Sequence, residues 1–374
     1  MYGKNFEIVT IAGNRPEIIK LSELVKSFNG IYKNAFVYTG QHYSPNMRDV
    51  FFEQLNINFD YDLQLNSSNV DLLRSNIRKL LTNLHPSFVI VYGDTNSTLA
   101  GALAAKDVNC KLIHIEAGIR CFDLSKPEER NRIQVDSLSD YLLAPTELSK
   151  LFLKYENIFQ EKVFVTGNLI ADVCKKFSGA SSPRLRSDPE NDLPREYILL
   201  TIHRPALVDD PVMLKELSEF LSQVNYTIVF PMHPRTVNSL IKYNISLPEN
   251  VKAIGAVGYV DFLNMLKECK LVMTDSGGVQ EEAIILKKPC ITLSNTSDRQ
   301  ETILLKANRL FFPLIGGQHD RSINDIIEEM RRVKITINPY GENVTEKALK
   351  VISDITNNTK EQKVELQPGK IRHL

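Results

Sequence analysis

The sequence predicts an α/β protein of two similar halves, each a parallel sheet flanked by helices. Three observations predict it. Short, continuously apolar runs alternate with helically spaced ones through residues 1–177, the pattern breaks at 178–194, and a second alternating series follows. Strands alternating with helices build parallel βαβ units, and strands buried on both faces read as unbroken apolar runs.

Residues 6–12 read as the first strand and 16–28 as a helix with Pro16 in its first turn. Residues 35–39 make a second strand, followed by a helix over 47–55. Over 70–84, Leu72, Leu73, Ile77, Leu80 and Leu81 recur at helical spacing. Residues 88–92 and 112–115 read as buried strands, with an Ala/Leu-rich helix over 98–106 between them. The segment 178–194 carries Ser, Pro, Asp and Arg with little apolar content and reads as an exposed linker. Beyond it, strands fit 197–202, 227–230, 271–273 and 290–293, and helices fit 213–221, 260–267 and 280–286. A last helix over 344–355 precedes a polar tail, expected to be disordered from Asn357 onward. No short repeat is present, which argues against a solenoid.

A chain of 374 residues is long enough for two domains with sizeable cores. Lys+Arg and Asp+Glu both number 45, so the net charge is zero, which argues against nucleic acid or an anionic membrane as a partner. No apolar stretch reaches the roughly 18 residues of a membrane span, and residues 1–10 lack a signal-peptide layout. The five cysteines form no CxxC pair, which fits a reducing compartment; a cytoplasmic protein is expected.

In open parallel sheets, ligands sit at the carboxyl ends of the strands. The first strand ends in Gly13-Asn14-Arg15-Pro16-Glu17, with Lys20 one turn on. Arg15 and Lys20 suit an anion near a helix N-terminus, or are solvated charges beside a tight turn. The loop is not GxGxxG, so no dinucleotide fingerprint stands here. Asp94, in Gly93-Asp94-Thr95-Asn96-Ser97-Thr98, read alone is a helix cap. His114 and Glu116, two apart on a strand, are expected on one side of it. They resemble half a metal site, but HExxH spacing and a third ligand are missing, so no metal is expected. Pro127-Glu128-Glu129-Arg130-Asn131-Arg132 opens a helix. In the second half, strands end in His203-Arg204, in His233-Pro234-Arg235 and in Thr274-Asp275-Ser276-Gly277-Gly278. The last is the most informative: two glycines opening a helix let backbone N–H groups meet a phosphate closely. Ser276 adds a hydroxyl, and Glu282, one turn further, suits ribose hydroxyls.

Taken in order, these motifs resemble the non-hydrolysing UDP-N-acetylglucosamine 2-epimerase family. The resemblance runs from about residue 8 to about residue 348. It rests on GNRPE at 13–17, TGQH at 39–42, GDT at 93–95, HIEAG at 114–118, PEERNR at 127–132, APTE at 144–147, TGN at 166–168, HPR at 233–235, TDSGGVQEEA at 274–283 and NPYG at 338–341. It implies a GT-B fold: two Rossmann-like domains facing across a cleft, with a C-terminal helix crossing back. The expected boundaries are a first domain at 1–177 and a linker at 178–195. A UDP-binding domain at 196–340, a returning helix at 341–358 and a tail at 359–374 follow. The resemblance places nucleotide and phosphate contacts on Arg15, Ser276, Gly277, Gly278 and Glu282, with Lys20 and Arg235 in the same charged region and Phe262 near the uracil. It places catalytic carboxylates on Asp94, Glu116 and Glu128, and His203 beside the diphosphate.

What the resemblance implies chemically is inversion at C2 of UDP-N-acetylglucosamine without NAD or metal. UDP leaves C1 as a base takes the C2 proton, and a 2-acetamidoglucal is then reprotonated on its other face. Two-faced proton transfer calls for more than one acid/base group, which three carboxylates supply. The family suggests a homodimer and a role in surface polysaccharide or glycan synthesis. The alternatives are a GT-B glycosyltransferase, a hydrolysing epimerase, a catalytically dead sensor, or an epimerase of a modified UDP-N-acetylhexosamine. Two departures bear on the sugar. Ala206-Leu207 stand where the family usually has Glu-Asn, and are expected to make one cleft wall apolar. Ser294 stands where the family commonly has Arg, and Ser297-Asp298-Arg299-Gln300-Glu301 where it has Thr-Glu-Arg-Pro-Glu.

Overall fold

The computed structural model of the chain describes residues 6–41, 55–179, 193–312 and 321–365. His42, the expected helix over 47–55 apart from Leu55, most of the 178–194 linker and the end of the tail lie outside the described residues.

Among the described residues, the first half holds seven parallel strands: β1 (Ile8–Ala12), β2 (Asn34–Tyr38), β3 (Tyr61–Asp62), β4 (Phe88–Tyr92), β5 (Lys111–Ile115), β6 (Tyr141–Ala144) and β7 (Val163–Val165). Their order across the sheet is β3-β2-β1-β4-β5-β6-β7. The helices between them are α1 (Arg15–Ser27), α2 (Val70–Leu84), α3 (Asn96–Asp107), α4 (Pro127–Leu138), α5 (Glu147–Tyr155) and α6 (Ile170–Phe177). The second half repeats the plan with six parallel strands: β8 (Ile198–Thr201), β9 (Ile228–Pro231), β10 (Val251–Ile254), β11 (Leu271–Thr274), β12 (Cys290–Thr292) and β13 (Asn308–Leu310), in the order β10-β9-β8-β11-β12-β13. Its helices are α7 (Pro205–Val208), α8 (Pro211–Ser222), α9 (Pro234–Tyr243), α10 (Tyr259–Glu268), α11 (Gly277–Ile285), α12 (Gln300–Leu304) and α13 (Ile323–Arg331), and α14 (Val344–Glu365) ends the described chain.

The central strands are sandwiched between helical layers, so both faces are apolar. β1 and β4 are buried along their whole length. The helices that cover them have one-sided patterns. In α2, Leu73, Ile77, Leu81 and Leu84 are buried while Leu72 is 45% exposed, so the inward stripe is narrower than the leucine count suggests. Asn69 caps this helix through Leu72 N–H, and His85 ends it in the left-handed conformation. Thr95 and Thr98 form a capping box at the start of α3.

The last helix departs from expectation. Val344, Ala348, Ile352 and Ile355 form one buried stripe, and they pack into the core of the first domain with Ile18, Leu21 and Phe28. Each buried aliphatic side chain contributes roughly 1.5–3 kcal/mol. The helix does not stop at residue 355 but runs to Glu365, through the start of the segment expected to be disordered. Once a packed stripe has nucleated a helix, each added residue gains a hydrogen bond for little further entropy, and polar residues extend it.

Both sheets have the strand order of a doubly wound fold. Each therefore has a switch point, between β1 and β4 in the first and between β8 and β11 in the second. Ligand crevices form at such points, outside the carboxyl ends of the strands. Hydrogen bonds between the two halves bring these two edges together.

Candidate active site

At the first switch point, the chain leaves β1 through Gly13. A Cβ on Gly13 would sit 2.2 Å from Ser97 Oγ, so only glycine lets the loop pass α3 this closely. The Gly13 N–H donates to Glu17 Oε2 at 2.6 Å, and Asn14 caps α1 by accepting from Glu17 N–H at 3.1 Å. Burial pushes the Glu17 carboxyl up to about 7. Arg15 is left exposed at the first position of α1. Lys20, one turn in, is buried. Its Nζ donates to Glu116 Oε2 at 2.6 Å, lies 2.7 Å from Glu281 Oε2, and sits over the Tyr92 ring.

Glu116 lies just past the end of β5 with φ of +73°, a conformation that strains a residue with a side chain. That twist breaks the strand alternation, so His114 and Glu116 do not share a side as the sequence suggested. His114 bonds Asp136 at 2.6 Å and the Gly93 carbonyl at 2.9 Å. Glu116 instead accepts from Lys20, from the Tyr92 hydroxyl and, at 3.0 Å, from Arg299 Nη2. Burial would raise the Glu116 carboxyl, but Lys20 and Arg299 outweigh it and hold it down at about 2.

Asp94 follows β4 and is not merely a cap: Thr95 caps α3, and Asp94 Oδ2 accepts from Arg132. The same guanidinium donates to Asp298 Oδ2 at 2.5 Å, tying the first domain to the second. In the PEERNR motif the two acids take opposite places. Glu129 is buried and accepts from the N–H groups of Cys121 and Phe122, at 3.0 and 2.7 Å. Glu128 is exposed on the first turn of α4 and shares no partner with Asp94 or Glu116 among the described residues.

At the second switch point, Asp275 Oδ2 accepts from the backbone N–H of His203 at 2.9 Å and of Arg204 at 2.7 Å. The His203 ring stands 3.6 Å from Asp275 Oδ1 and 5.6 Å from the His233 ring, with 41% of its side chain exposed. Desolvation by the surrounding walls lowers the His203 pKa, and Arg204, Arg15 and Arg235 reinforce this against the pull of Asp275. His233 is held down at about 4 by desolvation, then by His203, Arg15 and Arg235. Arg235 is itself exposed and paired with Asp209 at 3.2 Å. Arg15 from one domain and Arg204 and Arg235 from the other thus gather around two imidazoles whose protonation is disfavoured, an arrangement suited to a polyanion.

The helix α11 starts at Gly277, three residues before the expected start, with Ser276 as its N-cap residue. The Ser276 side chain does not cap it. The first N–H groups of a helix lack intrahelical partners, which makes this terminus an anion site in waiting. A Cβ on Gly277 would meet Asp298 Oδ1 at 3.0 Å, while one on Gly278 would meet nothing nearer than Ser276 Oγ at 3.9 Å. Glu282, one turn in, is buried and pushed up to about 7 by that burial. Phe262 is partly buried beside the Ile254, Val279 and Met265 cluster.

The structure corrects one expectation about the departures. Leu207 does not face the cleft; it is 2% exposed and packs with Leu200, Val208 and Leu214 in the core of the second domain. The second departing segment does reach the first domain: Asp298 and Arg299 bridge to Arg132 and Glu116. Arg299, Glu281, Arg132, Tyr92 and Asn168 were not read as site residues from the sequence, although each lies in or beside a motif that was.

No group of three or more His, Cys, Asp or Glu residues is placed to hold a metal ion among the described residues. Among them too, no helix is long and apolar enough to cross a membrane.

Comparison with known proteins adds to this geometry. The sequence model of the family described as UDP-N-acetylglucosamine 2-epimerase matches residues 28–353. A UDP-N-acetylglucosamine 2-epimerase of Methanocaldococcus jannaschii is 38% identical over 355 residues, covering 88% of this chain and 94% of that one. A UDP-2,3-diacetamido-2,3-dideoxy-D-glucuronate 2-epimerase of Pseudomonas aeruginosa is 37% identical over 327 residues, covering 84% and 89%. The crystal structure of the Methanocaldococcus jannaschii enzyme in complex with UDP-GlcNAc and UDP superposes with a TM-score of 0.85 at 37% identity, over 93% of this chain and 99% of that one.

Proposed function

Since the chain belongs to the UDP-N-acetylglucosamine 2-epimerase family, we propose that it inverts C2 of UDP-N-acetylglucosamine by removing and re-adding UDP. A carboxylate takes the C2 proton, the C2–H electrons become the C1=C2 double bond, and the C1–O electrons leave with UDP. In the second half a proton is delivered to the other face of C2, and the UDP oxygen re-forms its bond to C1.

The single observation that supports this reading best is the meeting of two chemically different edges. Glu116 and Asp94, from the first switch point, are joined through Arg299, Asp298 and Arg132 to the loop beside the uncapped α11 start at the second. In this reading Asp94, Glu116 and the exposed Glu128 exchange protons with the sugar. The α11 N–H groups, Ser276, His203 and Arg15 take the charge that grows on the departing diphosphate. Arg235 and Lys20 add positive charge, Glu282 accepts from ribose hydroxyls, and Phe262 flanks the uracil. The first domain spans 1–177 and the second 196–340. The enzyme acts as a cytoplasmic homodimer supplying an amino sugar for surface glycan synthesis.

The test is product analysis after incubation with UDP-N-acetylglucosamine in heavy water. UDP-N-acetylmannosamine carrying deuterium at C2 is expected. Free sugar with UDP, transfer only when an acceptor is added, or product without C2 deuterium each rejects the scheme. A second reading keeps the chemistry and changes the sugar. It is favoured by the Pseudomonas relative at 37% identity, whose named substrate carries a second acetamido group and a carboxylate, and by Ser294 in place of the usual arginine. Turnover of such a modified sugar at higher kcat/KM than UDP-N-acetylglucosamine selects it.

A further inference from the structure

Glu116 is enclosed by groups from five elements. Lys20 comes from α1, Tyr92 from β4, Glu281 from α11, Arg299 from the loop before α12, and Asn168 from the turn before α6. Asn168 accepts from Tyr92 at 3.2 Å and donates to Glu281 Oε1 at 2.9 Å. Arg299 donates to both Glu116 and Glu281, and Lys20 lies within 2.7 Å of each. All four charged side chains are nearly or wholly buried. Around Glu116 itself stand two carboxylates and two cations, with Asp298 beyond them at 3.2 Å from Arg299 Nη1. Each domain supplies one of each sign: Lys20 and Glu116 from the first, Glu281 and Arg299 from the second. Each carboxylate therefore takes part of its counter-charge from the other domain: Glu116 from Arg299 and Glu281 from Lys20.

We propose that Arg299 is a positioning residue for the epimerisation: reaching across the closed cleft, its guanidinium orients the Glu116 carboxylate and, with Lys20, keeps it in the proton-accepting form. Two carboxylates left with Lys20 alone are one cation short, and in a buried site the deficit is met by taking up a proton. Glu281 already has its pKa raised by burial, whereas Glu116 is held low by Lys20 and Arg299. Loss of the arginine charge moves both upward. Arg299 thus couples domain closure to the ionisation of the base. Asp298, its neighbour, makes the other crossing contact by accepting from the Arg132 guanidinium that also serves Asp94. The segment 297–301, in which Arg299 keeps the family's arginine while Ser297, Asp298 and Gln300 depart from the usual residues, is where the second domain acts on the chemistry of the first.

This inference rests on Glu116 exchanging protons with the sugar, so its test has one arm that needs no turnover. In carboxyl-labelled protein, with the Glu116 signal assigned by its loss in Glu116→Gln, the NMR titration midpoint of Glu116 is expected to rise by more than about one pH unit in Arg299→Gln. An unchanged midpoint overturns the proposal, whatever the enzyme's substrate proves to be. In the kinetic arm, the acid limb of the kcat/KM profile moves to higher pH in Arg299→Gln, and kcat falls more than KM rises. Arg299→Lys keeps the charge but cannot serve both carboxylates in one geometry, and its limb lies between the two. A purely structural role predicts lower rates with the limb unmoved, and that result also overturns the proposal. UDP binding by calorimetry checks that the second domain is intact. If Arg299→Gln fails to fold, the smaller shift in Arg299→Lys carries the same test, and its absence is decisive.

Discussion

The two edges that meet in the cleft are built on opposite principles. At the first, the acids that face the second domain already have counter-charges: Glu116 with Lys20 and Arg299, and Asp94 with Arg132, while Glu129 behind them has Arg132 and two backbone N–H groups. At the second, Ser276 leaves the α11 start uncapped, and the positive groups around His203 and His233 outnumber the negative ones. The first edge is organised before substrate arrives; the second holds donors for a ligand to complete. Proton transfer needs a fixed geometry and a defined proton affinity. Diphosphate capture needs donors that are oriented but unspent.

The largest expected effect breaks the first edge. Glu116→Gln and Asp94→Asn should each lower kcat by ~10²–10⁴-fold, the usual cost of losing a general acid or base. UDP affinity, measured by calorimetry, should change little, because UDP belongs to the other edge. A parallel loss of UDP affinity would mean that the two edges are not separable.

Next comes the question of which second-domain residues belong to the edge at all. Leu207→Asn places an amide in a site that is 2% exposed among aliphatic side chains. It should cost about 2–5 kcal/mol of stability, read as a fall in the chemical-denaturation midpoint. Full stability in Leu207→Asn, together with an altered sugar preference, would return this residue to the cleft wall.

Gly278→Ala probes the unfinished edge directly. The added methyl meets nothing within 3.9 Å in the free protein, so stability should hold or rise by roughly 0.4–1 kcal/mol. It projects at the helix start where a diphosphate would approach. UDP affinity should fall by ~10-fold or more, the equivalent of one charge-assisted hydrogen bond. Unchanged affinity would move the phosphate elsewhere.

The smallest effect is a pH dependence. The Glu282 carboxyl is raised to about 7, so it is mostly neutral at pH 6 and ionises as the pH rises through 7. An ionised Glu282 is the better acceptor for ribose hydroxyls, so UDP affinity should strengthen over that window by a few-fold. The change should be absent in Glu282→Gln, which also subtracts the titration of UDP itself. The sign for stability is the reverse. A raised carboxyl pKa contributes stability below the unfolded value of about 4.5 that is lost as the pH rises towards 7.

Much of this was legible in the residues. Continuous apolar runs placed β1, β4, β8 and β11, the four strands that flank the two switch points, because a strand buried on both faces has no polar alternation to lose. The edge strands left no such signal: β3 has two residues, and β7 and β13 have three each. Glycine-led strand ends marked both halves of the site, since a backbone that must pass Ser97 or meet an anion tolerates no Cβ. Roles within the site were less legible. Glu128 and Glu129 are adjacent and chemically alike, and only the turn of α4 decides that one is exposed and the other buried. His114 and Glu116 were expected together because strands alternate, and the positive φ at Glu116 is invisible in a list of residues.

The sequence by itself determined the two-sheet architecture, the edge of each sheet that carries chemistry, and the family to which the chemistry belongs. These follow from local periodicity and from short motifs, whose meaning survives without knowing what lies opposite. The tertiary structure alone decided the pairing of charges. Lys20, Glu116, Glu281 and Arg299 are separated by up to 279 residues along the chain, and no local spacing links one to another. Burial together makes each one's charge depend on the other three, because in a low-dielectric interior an ion is stable only beside its counter-ion.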